Sequence, residues 1–248
     1  MYYCCGITSK GIMPHNEDAL LIGREVFDSG TSEQELDPPF FAAVSDGVSG
    51  ELSGEVASKM CLEMISEIHY NCRTDLSAEL LAIHERLAQF SAENPDSHNM
   101  QATLCGIAVD EKGIITTFNV GDSRLYRFRG GRITQISRDQ SLVQLLYEEG
   151  TITLEERRTH VHRNIIFPAF GNVNTPPKVD ISPIEGGVEF GDVLILCSDG
   201  LSDYVSTYDM EEIMELPKSL PERLEMLLNK ASENQSKDNI SIAAVTCC

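Results

Sequence analysis

Two short apolar runs in this 248-residue chain end in the same polar turn. Phe40-Phe41-Ala42-Ala43-Val44 runs into Ser45-Asp46-Gly47, and Val193-Leu194-Ile195-Leu196-Cys197 runs into Ser198-Asp199-Gly200. Runs of this length, bounded by turn residues, read as buried strands, so each delivers an aspartate to one end of the core. Two further acidic turns adjoin apolar runs: Asn16-Glu17-Asp18 precedes Ala19-Leu20-Leu21-Ile22, and Asp238-Asn239 precedes Ile240-Ser241-Ile242-Ala243-Ala244-Val245. A fold that gathers these four strand ends puts five carboxylates into one small volume. Like charges a few ångströms apart repel by about 1 kcal/mol or more even in a fairly high dielectric, so such a cluster persists only by taking up protons or cations. The pattern predicts a divalent-cation site.

Composition narrows the setting. With 42% hydrophobic residues the chain can bury a full core, and its length suits one domain over 1–248. No apolar run reaches the roughly 18 residues of a membrane span, and the start Met1-Tyr2-Tyr3-Cys4-Cys5-Gly6 has neither a basic head nor a long apolar stretch. A cytoplasmic protein with no membrane partner is expected. Thirty-nine acidic against 19 basic residues give a formal charge of −20, which repels nucleic-acid phosphates, so no nucleic-acid partner is expected either. Cys61, Cys105 and Cys197 lie inside apolar patterns and read as small core hydrophobes in a reducing compartment. Cys247-Cys248 closes a predicted core strand, which weighs against a lipidation signal. Neither the cysteines nor the histidines have the spacing of a zinc site.

Strands are expected at 2–8, 19–26, 39–45, 102–109, 113–120, 123–129, 178–184, 192–198 and 239–246, with hairpin turns at Asp110-Glu111-Lys112-Gly113 and Arg129-Gly130-Gly131. One helix begins near Gly54, with Val56, Met60, Met64 and Ile68 at four-residue spacing and Ala57, Cys61 and Ile65 beside them. A second starts near Asp75, carries Leu76, Leu80, Ile83 and Leu87, and stops before Pro95; a third follows the capping pair Ser219 and Glu222. Strands in runs with helices gathered between them argue for an α+β fold, a mainly antiparallel sheet structure with helices on both faces. Residues about 138–176 stand apart, with short helical pieces at Ser141 to Glu149 and Leu154 to Arg158 and the patch His160-Val161-His162-Arg163-Asn164. This stretch reads as an inserted flap beside the site.

Carboxylates and carbonyls without clustered thiols or imidazoles suit Mg2+ or Mn2+. Two such ions sharing a bridging carboxylate can activate a water and clamp an in-line displacement at phosphorus, which makes phosphoester hydrolysis the natural chemistry. Taken singly, each Asp-Gly is an ordinary turn.

Together and in order, these blocks resemble the type 2C (PPM) family of metal-dependent Ser/Thr protein phosphatases, and most of all its compact bacterial members. The motifs are Asn16-Glu17-Asp18, Ser45-Asp46-Gly47-Val48-Ser49-Gly50 with Gly54-Glu55-Val56-Ala57-Ser58, Gly121-Asp122-Ser123-Arg124, Ser198-Asp199-Gly200-Leu201-Ser202-Asp203, and Asp238-Asn239. Leu145 to Asn164 resembles the family's flap. The resemblance implies a β-sandwich flanked by helices, four layers αββα, with two core Mn2+ or Mg2+ ions at one end and hydrolysis of phosphoserine and phosphothreonine by direct attack of a metal-bridging water. By position it implies that Asp46 bridges the ions, Gly47 offers its carbonyl to one, Asp199 and Asp238 complete the other, and Glu17 and Asp18 act through coordinated waters. Asp122, Asp199 and Asp203 match the place of a weaker third ion. The plain readings are a turn aspartate paired with Arg124 for Asp122, and a helix cap near Thr207 and Tyr208 for Asp203. Asn239 reads as holding the loop of Asp238. Partners implied are phosphorylated proteins, including a Ser/Thr protein kinase or its substrates, met by a monomer.

Two departures from the family pattern bear on chemistry, and a third, Met100-Gln101-Ala102-Thr103 in place of the more usual Met-Gly-Thr-Thr, concerns packing under the site. Where the family usually places a phosphate-gripping arginine, this chain has Met13, and methionine cannot bind phosphate. The metals then act alone, or Lys10, His15 or Arg163 supplies the cation; solvated surface for Lys10 and a flap anchor for Arg163 are the plain alternatives. Where bacterial members carry a candidate general-acid histidine, this chain has Glu51, ionised at neutral pH unless its pKa is raised, or simply a first-turn helix residue. These losses keep open a second reading, a low-activity pseudo-phosphatase that binds phosphoproteins or a regulator. A phosphodiesterase acting on nucleic acid is disfavoured by the charge.

Overall fold

Alternation along the strands sorts the side chains of this chain into layers. The computed structural model describes residues 1–48, 53–97 and 99–247. The first strands are β1 (Tyr2–Ser9), β2 (Asp18–Ile22), β3 (Glu25–Phe27), β4 (Gly30–Leu36) and β5 (Phe40–Val48). Helices α1 (Gly54–Ser66) and α2 (Leu76–Glu93) follow, then β6 (Gln101–Ala102), β7 (Leu104–Val109), β8 (Ile115–Val120), β9 (Arg124–Arg129) and β10 (Arg132–Gln135). Two short helices, α3 (Leu142–Glu148) and α4 (Leu154–Thr159), lead to β11 (Asp180–Pro183) and β12 (Val193–Cys197). The chain ends with α5 (Asp199–Ser202), α6 (Thr207–Met214), α7 (Leu220–Glu233) and β13 (Ile240–Cys247).

The strands form two antiparallel sheets. One runs β10-β9-β12-β13-β1-β4, the other β11-β8-β7-β5-β2-β3 with β6 attached to β5. Leu20, Ile22, Phe40, Ala42 and Val44 pack between the sheets against Leu194, Leu196, Ala243 and Val245. Their sequence neighbours Leu21, Phe41 and Ala43 face α1 and α2, and Ile195, Cys197, Ile242 and Ala244 face α6 and α7. The result is the αββα layering expected. Buried Cys61, Cys105 and Cys197 are core residues, as expected. No helix among the described residues is long and apolar enough to cross a membrane.

Several expected elements change shape. The strand expected at 19–26 is β2 and β3 joined by a turn at Gly23 and Arg24, and 102–109 is split into β6 and β7. β4, β10, α5 and α6 were not anticipated: β4 is polar and buries only Ser32, so backbone pairing to β1 rather than hydropathy places it. On α1 the buried face runs through Ala57, Cys61, Leu62, Met64 and Ile65, and Val56, assigned to that face from its spacing, is 36% exposed.

Helix α7 starts at a complete capping box. Ser219 accepts from the Glu222 N–H, and Glu222 reaches back to the Ser219 N–H at 2.9 Å. Ser219→Ala is expected to lower stability by about 1 kcal/mol, read as a shift in the urea midpoint at unchanged slope.

Candidate metal centre

Antiparallel pairing decides which strand ends meet. β2 begins where β5 ends, and their register puts Asp18 directly opposite Asp46. Asp18 shares the parity of Leu20 and Ile22, and Asp46 that of Phe40, Ala42 and Val44, so both side chains point between the sheets. In the other sheet β12 ends where β13 begins, Cys197 opposite Ile242, which brings Asp199 and Asp238 to the same end. The turn between β8 and β9 adds Asp122 there.

Electrostatics records the convergence. Burial, followed by the charges of Asp18, Asp199, Asp238 and Asp122, pushes the Asp46 carboxyl well above the usual carboxylate range. Asp199 is pushed up by burial and by Asp122, Asp238, Asp203 and Asp18. Burial lifts Asp18 to about 7 against hydrogen bonds from Ser198 and Ser241 that favour its charge. Burial also lifts Asp122 to about 7, with Asp139 and Asp203 adding to it and Arg124 opposing. Glu17 is raised by burial, Asp238 and Glu55, with His15 opposing, and Asp238 by burial and Asp203, with Arg163 opposing. All seven acidic residues proposed from sequence, Glu17, Asp18, Asp46, Asp122, Asp199, Asp203 and Asp238, thus lie within one electrostatic cluster.

Two observations test whether a cation fits. Among the described residues, Asp199 Oδ1 is buried with no hydrogen-bond partner, a costly arrangement unless something positive meets it. Gly54 lies where a Cβ would come within 2.8 Å of Glu17 Oε2 and 3.0 Å of the Gly47 carbonyl oxygen, so the absence of a side chain keeps open a cradle between two oxygen donors. Among the described residues, no three carboxyl, imidazole or thiol groups already surround one point as a finished cage. Hard cations do not need one, since they keep several waters and take few protein ligands. The donor set fits Mg2+ or Mn2+.

A family model described as Protein phosphatase 2C matches residues 28–241. The chain belongs to this family. It is 29% identical to the serine/threonine phosphatase stp of Listeria welshimeri, over 96% of this chain and 93% of that protein. Among solved structures it resembles the serine/threonine phosphatase Stp1 from Staphylococcus aureus, with a TM-score of 0.83 and 27% identity over 100% of this chain and 96% of that one. It also resembles the catalytic domain of the serine/threonine protein phosphatase PstP in complex with 2 manganese ions, with a TM-score of 0.79 and 26% identity over 99% of both chains.

Within this phosphatase 2C fold the plain readings of two aspartates give way. Arg124 does not pair with Asp122; it forks onto buried Asp139, Nε at 3.0 Å from both carboxylate oxygens and Nη2 at 2.7 Å from Oδ2. Asp203 does not cap α6; Ser206 does. Asp203 instead faces Arg163 Nε at 3.4 Å, with Arg124 at 4.0 Å. Of the three candidate phosphate-binding cations, only Arg163 makes an ion pair with the cluster among the described residues. His15 acts on Glu17 through its charge, and Lys10 is exposed. Ser49, Gly50 and Glu51 lie outside the described residues.

Hydroxyl groups that sequence reasoning missed hold the acids in place. Ser198 Oγ donates to Asp18 Oδ2 at 2.7 Å across the two sheets and accepts from the Ser241 N–H at 3.1 Å. Thr103 Oγ1 accepts from the Asp46 N–H at 3.1 Å, and its own N–H donates to the Asp46 carbonyl at 2.8 Å. Asn239, expected to hold the loop of Asp238, reaches instead into the loop before β2: its Oδ1 accepts from the Glu17 N–H at 2.8 Å, tying that loop to the one before β13. The one available signal was parity, since Ser198 shares the inward face of Leu194 and Leu196.

Proposed function

We propose that this chain is a Mn2+- or Mg2+-dependent protein serine/threonine phosphatase that hydrolyses phosphoserine and phosphothreonine in proteins. The observation that carries the reading is the convergence of mutually repelling carboxylates from both sheets at one end of the sandwich. In this reading Asp46 would be shared by the two core cations, the Gly47 carbonyl would help hold one, and Asp199 and Asp238 would help hold the other. Glu17 and Asp18 would orient waters, and Asp122, Asp199 and Asp203 would hold a weaker third cation. When bound, the cations supply a water of lowered pKa and positive charge for in-line displacement at phosphorus.

The chain's own residues do the rest. Ser198 and Ser241 hold Asp18 toward the ionised form against its burial, keeping it a hydrogen-bond acceptor. Thr103 fixes the backbone on either side of the Asp46 side chain. The chain acts as one domain whose flap, at about 138–176, leans on the core through Arg163 to Asp203 and Asp139 to Arg124. We extend the reading to a cytoplasmic monomer whose partners include a Ser/Thr protein kinase or its substrates.

The test is hydrolysis of 4-nitrophenyl phosphate and a phosphothreonine peptide in Mn2+ and in excess chelator. Turnover of both in Mn2+, lost in chelator, is the expected result; no turnover in either condition refutes the reading. Because Met13 offers no fork for the phosphate, Met13→Arg should lower KM about tenfold with little change in kcat, the value of one charge-assisted contact made equally in ground and transition states. Steady-state kinetics with the aryl phosphate reads this directly.

A further inference from the structure

The loop from Lys10 to His15 is held more firmly than an exposed turn requires. A single amide clamps both ends: Asn239 Nδ2 donates to the Lys10 carbonyl at 3.0 Å and to the His15 carbonyl at 2.9 Å. Inside the loop the Met13 N–H closes onto the Lys10 carbonyl at 3.0 Å. Gly11, in the left-handed region at φ +57°, lies so near Asp238 that a Cβ there would stand 2.7 Å from its carbonyl oxygen. The loop is therefore pinned to the backbone of a residue in the acidic cluster.

What it displays is apolar. Ile12 is 76% exposed and Met13 38%, and exposed Pro14 follows. Scattered surface hydrophobics need no explanation. An apolar tripeptide immobilised at the mouth of a polar site is a different case, because ordering it costs conformational entropy that its own burial does not offset. The Asn239 bonds and the Met13 turn meet that cost in advance, so a partner that covers these side chains gains their burial without having to order the loop.

Position and charge identify that partner. In the phosphatase reading above, on which this inference rests, a phosphate enters beside Asp238, so the residues flanking a phosphorylated side chain pass over the adjoining loop. A chain of formal charge −20 disfavours acidic flanks, and Arg163, the cation found beside the cluster, is already paired with Asp203. We infer that Ile12 and Met13 select phosphorylated protein segments carrying a bulky apolar residue next to the phosphoserine or phosphothreonine, and reject acidic ones.

The experiment uses three phosphothreonine peptides that differ only in having Leu, Ser or Glu on both sides of the phosphothreonine, assayed in Mn2+ with 4-nitrophenyl phosphate as the flank-free control. The expected kcat/KM is about tenfold higher for the Leu than the Ser peptide, mainly through KM, and lowest for the Glu peptide. Ile12→Ser, at a site exposed enough to leave folding intact, should bring the Leu and Ser peptides within about twofold of each other while turnover of the aryl phosphate stays as in the wild type. Equal turnover of the Leu and Ser peptides by the wild type, or a preference that survives both Ile12→Ser and Met13→Ser, overturns the inference and leaves the phosphatase reading standing. Failure on 4-nitrophenyl phosphate as well overturns that reading, and this one with it.

Discussion

Asp46→Asn is expected to lose at least about a thousandfold of Mn2+-dependent turnover, because in the proposed reading one carboxylate would serve two cations and supply several kcal/mol, and each 1.4 kcal/mol is a factor of ten. The same variant should unfold at a higher temperature than the wild type in chelator. Asp46 stands opposite Asp18 in the strand register and within the fields of Asp199, Asp238 and Asp122. Replacing its charge by an amide removes that repulsion and adds a donor where acceptors crowd. The two effects point in opposite directions, and that separates a functional role from a structural one. Kinetics with 4-nitrophenyl phosphate and thermal unfolding in chelator measure them. A variant that keeps a tenth or so of the activity, or loses stability in chelator, would contradict the metal assignment.

Without divalent cations the protein should be more stable at about pH 5.5 than at about pH 8. The sign follows from the protons. Asp18 and Asp122 titrate at about 7 in the folded chain against an ordinary 3.8. Between those values the native state binds more protons than the unfolded one, so stability falls as pH rises through the window and is lowest above it. Asp18, only 2% exposed, contributes about 2 kcal/mol of this, and partly open Asp122 less. Surface carboxylates held down by arginines, such as Glu148 at about 2, titrate below the window and do not oppose it. At roughly 2–4 °C per kcal/mol for a chain of this size, the melting temperature in chelator should drop by several degrees from the lower to the higher pH. Saturating Mn2+ should reverse the slope, because the cation binds the ionised form and adds about 2.7 kcal/mol at a hundred times its Kd. A melting temperature in chelator that is flat or rises across this range would show that the acids do not crowd one another.

The acidic site was legible because its signal is local: a buried run, then Asp-Gly, repeated at Asp46 and Asp199. The layering was legible because strands come in runs with helices gathered between them, and the apolar run from Phe40 to Val44 is covered on both sides, Phe40 by the second sheet and Phe41 by helices. What escaped is what depends on partners far away in the chain. Ser198 and Asp18 are 180 residues apart, and no spacing rule connects them. Strand β4 is made by pairing along β1, and its Ser32 and Gln34 bond Glu25 rather than packing into a core. The face of α1 was misjudged because Val56 fits the same periodicity as Ala57, and only the sheet beneath chooses between them. The plain alternative for Asp122, pairing with Arg124, gave way because Asp139, from a stretch read as flap, holds the guanidinium fork.

Asp18 and Asp46 belong to one sheet, while Asp199 and Asp238 flank strands of the other. Whatever neutralises them must therefore straddle the seam of the sandwich and act there as a rivet. In the metal-loaded state proposed above, a weaker grip on the cation would also weaken that tie, so activity and heat resistance measured in Mn2+ should fall together even where the metal-free protein gains.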